Sequence, residues 1–147
     1  MHVESELSAA AAGSDVIITT TPAKSFFLRE SFLRAGTIVA AVGADSPGKQ
    51  ELEPCLIANA KLVVDILEQC ARVGELHHAL DAGLMTREAV YAELSEVLAG
   101  KKVGRANAEE IIVFDATGSA IQDTAAAAAV YERARAQGLG TIISIYG

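Results

Sequence analysis

Tryptophan is absent, and aromatic residues make up only 5% of the chain. A core without large rings relies on close packing of helices against a sheet. Basic runs are absent too. Lys and Arg number 12 against 19 Asp and Glu, for a net charge of −7. Nucleic-acid binding needs a basic patch or stripe, so that class is set aside, and the acidity is read as a solubility property. The only cysteines, Cys55 and Cys70, have no metal-like spacing and no partner cluster. They read as buried free thiols of a reducing cytosol, with a disulfide left open and no metal site expected. Apolar runs are broken well short of a membrane span. Met1 to Glu6 shows neither the basic flank nor the apolar segment of a signal peptide. The expected location is cytoplasmic, without membrane partners.

Apolar residues account for 51% of the 147 positions, which supplies one compact domain with a core. Continuous β-branched runs lie at Asp15–Thr20, Thr37–Val42, Lys61–Asp65 and Ile111–Asp115. Being continuous rather than alternating, they predict fully buried strands. His2–Ser5 and Thr141–Tyr146 are weaker strand candidates. Between the runs, helices are predicted over Ser5–Ala12, over Leu67–Leu80 with an interruption at Gly74, over Thr86–Leu98 and over Ser119–Gln137. Strands alternating with helices predict an α/β fold around a parallel sheet, with the first two strands adjacent.

Three strand ends carry residues able to do chemistry. Val42-Gly43-Ala44-Asp45-Ser46-Pro47-Gly48-Lys49-Gln50-Glu51-Leu52 follows a buried strand, where open parallel sheets bind ligands. Gly43 would let backbone approach a ligand, and Asp45 and Lys49 set opposite charges on one loop. A capped turn with a solvated Lys49 accounts for the same residues equally well. Phe114 to Asp123 runs from a strand through Gly118 into a helix, a junction suited to an anion or a carboxamide, or simply to capping by Thr117 or Ser119. Thr19-Thr20-Thr21-Pro22 offers hydroxyls at a strand end, or only a strand finishing in β-branched residues. His77 and His78 are adjacent and so face apart on a helix, which makes them a poor metal pair. They read as solvated surface, as do Glu93, Glu96, Glu109 and Glu110.

Together these stretches resemble the ornithine cyclodeaminase/mu-crystallin family. The run Val42–Leu52 is the specific part. Three further pieces fall in the family's order: Asp15–Pro22, Val63-Val64-Asp65 with Glu68-Gln69, and Ile112–Gly118 with Gln122-Asp123. The resemblance implies a Rossmann-type NAD(P) domain and, in the whole enzyme, a homodimer. It implies hydride exchange between an amino acid's Cα and nicotinamide through an imine. Asp45 would be the catalytic carboxylate, handling protons on the amino group or on attacking water. Thr19, Val42, Gly43, Ala44, Asp45 and Lys49 would line NAD or NADP. Ala116 would contact the nicotinamide at a position that is often Ser in the family, and Thr117 would lie beside the amino acid or imine.

The family's Gly-rich dinucleotide turn has no counterpart here, since no Gly-x-Gly-x-x-Gly occurs. Residues 1–147 are therefore expected to form the C-terminal part of the NAD(P) domain with the family's C-terminal helical segment. This is a partial Rossmann-type sheet flanked by helices, without the N-terminal strands. Two functions follow: the C-terminal portion of an amino-acid enzyme, or a non-catalytic remnant that binds or dimerises. On either, the chain by itself is expected to bind NAD(P) weakly, to lack turnover, and to associate through an open strand edge at Asp15–Thr20.

Overall fold

The computed structural model describes residues 3–144. The chain divides into two units, Met1–Thr117 and Gly118–Gly147. In the first, α1 (Leu7–Ala12) leads into β1 (Val16–Thr19), β2 (Lys24–Leu28), β3 (Ile38–Ala41) and β4 (Gln50–Leu52). Then come α2 (Pro54–Asn59), β5 (Lys61–Val64), α3 (Leu67–Val73), α4 (Glu75–Asp81), β6 (Ala92–Glu93), α5 (Leu94–Leu98) and β7 (Ile112–Asp115). The second unit holds α6 (Ala120–Ala136), none of whose residues is buried.

Five strands form a wholly parallel sheet in the order β1-β3-β7-β5-β6. The four expected strands are all present, and the first two are neighbours. The runs of β3, β5 and β7 are continuous because both faces are largely covered, whereas β1, at the edge of the sheet, departs from the expected full burial: Val16 and Ile18 are exposed and only Thr19 is buried. Val39, Ala41, Leu62, Val64 and Val113 are buried, together with Leu56 and Ile57 of α2 and Leu76 and Ala79 of α4. Burial of each large aliphatic side chain contributes roughly 1.5–3 kcal/mol. Helix α3 stops at Gly74 and α4 starts directly after it, as the sequence suggests.

Other expectations are corrected. Thr86–Leu98 is not one helix. Arg87–Ala89 makes a 3-10 turn, the Tyr91 amide donates to the Leu62 carbonyl at 3.0 Å, and β6 pairs with β5 before the short α5 begins. The open edge of β5 offers ladder bonds that a helix over these residues would forgo, so tertiary pairing overrides the local pattern. A second, two-stranded parallel sheet of β2 and β4 was not foreseen, although Phe26-Phe27-Leu28 is a short apolar run. Residues 3–5 and 141–144 are not strands, and His2, Ile145 and Tyr146 of those candidates lie outside the described residues. Both cysteines are free thiols; Cys70 is buried, but Cys55 is only half-buried.

Candidate functional site

Thr19, Ala41 and Asp115 are paired in one row across β1, β3 and β7. Because the strands are parallel, the segments that follow open on the same edge of the sheet. That edge carries Thr19, Val42–Asp45 and Ala116–Thr117.

The segment after β3 is tightly held. The Val42 amide donates to the Thr19 carbonyl at 3.0 Å, and Ala44 is buried. Gly43 also meets a constraint from within the protein. A Cβ there would lie 2.4 Å from the carboxyl of Glu51, which accepts the Gly43 amide at 3.1 Å. The glycine makes room for a protein carboxylate. Gly48 takes a positive φ of 78°, which turns the chain back so that Lys49 faces Asp45. Lys49 Nζ donates to Asp45 Oδ1 at 2.6 Å, so Lys49 is not simply solvated. That hydrogen bond holds the Asp45 carboxyl below its ordinary range, leaving an ionised, half-exposed base at neutral pH. The Lys49 carbonyl accepts the Nε2–H of His78 at 2.8 Å, so this histidine supports the loop. His77 instead faces Asp81, 3.3 Å away.

After β7, the Ala116 amide donates to the Ala41 carbonyl at 2.9 Å, and the Thr117 amide to Asp65 Oδ2 at 2.8 Å. Thr117 Oγ1 lies 3.3 Å from Asp65 Oδ1. Thr117 is thus pinned to the end of β5. Ser119, the N-cap residue of α6, makes no side-chain capping hydrogen bond. At the end of β1, Thr19 is buried, and its Oγ1 has no hydrogen-bond partner among the described residues. A buried hydroxyl left unpaired costs about 1–3 kcal/mol, and a bound group could satisfy it.

Three buried acids were missed as parts of this edge: Glu51, Glu75 and Asp115. Asp115 accepts the amides of Glu75 and Leu76 at the start of α4, and Glu75 accepts those of Glu51 and Leu52 in β4. Burial pushes the Glu75 carboxyl up to about 8 and that of Asp115 to about 6. The signal available in the sequence was an acid closing an apolar strand, Phe114-Asp115, and a Gly-Glu step at a helix break, Gly74-Glu75. Three of the four acids read as solvated have partners. Glu93 accepts the Leu67 amide at 2.9 Å, Glu96 accepts the Glu93 amide at 3.0 Å, and Glu110 pairs with Lys61 at 3.3 Å.

The sequence matches the model of the "Ornithine cyclodeaminase/mu-crystallin family" over residues 1–138. It is 46% identical over 141 residues to a putative dehydrogenase of Rhizobium meliloti, covering 96% of this chain and 43% of that protein. Its fold is similar to the iminosuccinate reductase of Paracoccus denitrificans, solved with NAD+, at TM-score 0.86 and 40% identity, covering 95% of this chain and 43% of the other. The Δ1-pyrroline-2-carboxylate reductase of Thermococcus litoralis, solved with NADH and L-proline, is similar at TM-score 0.87 and 32% identity, covering 93% of this chain and 43% of the other. The chain therefore spans well under half the length of these relatives. Among the described residues, no helix is long and apolar enough to cross a membrane.

Proposed function

Because the chain belongs to the ornithine cyclodeaminase/mu-crystallin family, we propose that it contributes the proton-handling and nicotinamide-facing side of an NAD(P)-dependent amino-acid enzyme. One observation carries the reading. The ends of three adjacent parallel strands bring a buried unpaired hydroxyl (Thr19), an ion-paired carboxylate (Asp45) and a pinned threonine (Thr117) to one edge. Both the iminosuccinate reductase and the pyrroline-2-carboxylate reductase were solved with NAD+ or NADH bound. The donor set here fits such a group. Thr19 Oγ1 would meet a polar atom of the cofactor, Val42–Asp45 and Lys49 would line it, and Ala116 would face the nicotinamide. When bound, NAD(P) supplies the hydride acceptor or donor. Asp45, kept ionised by Lys49, takes a proton from the substrate amino group or from water attacking an imine. Thr117 stands beside the substrate, an amino acid or its imine, held in place by Asp65.

An NMR titration of the 15N-labelled chain with millimolar NADH, and separately NADPH, tests this. The amides of Thr19, Gly43, Ala44, Asp45, Ala116 and Thr117 should shift together. If they stay put while nucleotide is in excess, the cofactor reading falls, and a non-catalytic binding or dimerisation module takes its place.

A further inference from the structure

A ladder of buried carboxylates runs beneath the candidate site, and every rung is a pair of backbone amides. Asp115 Oδ1 and Oδ2 accept the amides of Glu75 and Leu76 at 3.1 and 2.9 Å. Glu75 Oε1 and Oε2 accept those of Glu51 and Leu52 at 2.7 and 3.1 Å. Glu51 Oε1 and Oε2 accept those of Thr21 and Gly43 at 2.5 and 3.1 Å. All three acids have no exposed surface. Two glycines make room for them. A Cβ on Gly74 would lie 2.6 Å from Asp115 Oδ2, as one on Gly43 would lie 2.4 Å from the Glu51 carboxyl. None of the ion pairs among the described residues includes these acids.

Burying carboxylates without a cation is expensive, and apolar side chains would fill the same space more favourably. What the acids provide is geometry. Glu51, in β4, reaches back over the loop that carries Asp45 and Lys49 and ties its far end to Gly43. With its other oxygen it holds Thr21, just past Thr19. We propose that Glu51 is a positioning residue: its carboxylate clamps the segments after β1 and β3 at a fixed separation, which sets Thr19 against the Asp45–Lys49 pair. Glu75 and Asp115 seat the clamp by anchoring β4 through α4 to the end of β7. The proposal deepens the reading of this edge as the reacting edge and rests on it for its functional meaning. Glu51 itself would not touch the reacting atoms.

Glu51→Gln tests the clamp, because an amide side chain has one acceptor oxygen and turns donors toward the second amide. The labelled chain is measured without nucleotide, so the result is independent of whether NAD(P) binds. In E51Q, hydrogen exchange at Thr21 and Gly43 should rise by about tenfold or more, with the β3 and β7 amides unchanged. The 13C-observed titration of the Asp45 carboxyl should move up toward the ordinary carboxylate value, because the loop that presents Lys49 to it is no longer tied at both ends. A general loss of stability would not move that midpoint while the protein stays folded. Unchanged exchange at both amides, an equal rise throughout the sheet, or an unmoved Asp45 midpoint would each overturn the proposal. Should E51Q fail to fold, the wild-type chain still decides. A scalar coupling across the hydrogen bond from the Gly43 nitrogen to the Glu51 carboxylate carbon supports the clamp, and its absence refutes it.

Discussion

At the residue scale, the site is governed by which carboxylates are held charged and which are buried. The Lys49 hydrogen bond holds the Asp45 carboxyl below its ordinary value, so the proposed proton acceptor is ionised at neutral pH. In any longer chain that carries this segment and turns over, Asp45→Asn should lower kcat by about 10²–10⁴-fold while the cofactor Kd stays nearly constant. Steady-state kinetics with a parallel fluorescence titration of NADH checks both halves. Glu75 is the opposite case. Burial raises its carboxyl from 4.5 to about 8, with Asp115 and Glu51 adding repulsion. Between those values the folded protein keeps a proton that the unfolded chain has released. Stability therefore falls as pH rises from about 5 to about 8, the reverse of the usual carboxylate behaviour. The raised Asp115 adds a smaller slope of the same sign at the acidic end of that window. Urea unfolding across this range should show the decline, and Glu75→Gln should flatten most of it. A stability that rises over the range would show that Glu75 is ionised throughout. Asp45 stands out in the sequence because it follows a strand and has a lysine four residues on. Glu75 does not, because the Gly-Glu step at the helix break marks an unusual position but not a buried acid until another strand's amides are set against it.

At the element scale, three of the four strands of continuous apolar sequence, β3, β7 and β5, are central in the sheet and β1 forms an edge, while the elements that escaped notice, β6 and the β2–β4 pair, lie at the other edge or outside this sheet. Strand β5 shows why the first group is legible: Leu62, Val63 and Val64 are all buried. Leu62→Ala should cost about 2–5 kcal/mol in chemical denaturation, because a cavity opens between the sheet and its helices. A cost below about 1 kcal/mol would mean that the site collapses freely. The segment Thr86–Leu98 shows why the second group is not legible. Its apolar spacing suits a helix, yet two residues of it add a strand to the sheet. Ladder bonds to β5 outweigh a propensity worth a few tenths of a kcal/mol per residue. Strand β2 is hidden for a similar reason, since its partner β4 lies in the loop that also carries the candidate site.

At the scale of the whole molecule, β1 pairs only with β3 among the described residues and forms one edge of the sheet. Val16 and Ile18 on it are 56% and 66% exposed. An open apolar edge invites another strand, so the chain should self-associate despite its charge of −7. Sedimentation velocity should show concentration-dependent association, and Ile18→Lys should shift the distribution to monomer. A wild-type chain that remains monomeric at high concentration would show that the edge is shielded. What the sequence alone determined is four of the sheet's five strands and the edge at which the segments after them open. Long β-branched runs mark strands, parallel strands have to send their following loops to one side, and Val42–Leu52 is specific enough to resemble a single family. Only the tertiary structure decided which acids face water and which bind amides, and why Gly43 has no side chain. Those outcomes depend on groups that lie far apart in the chain, from Gly43 and Glu51 through Glu75 to Asp115. A carboxylate becomes a structural clamp only when folding brings two unpaired amides within hydrogen-bond reach of it.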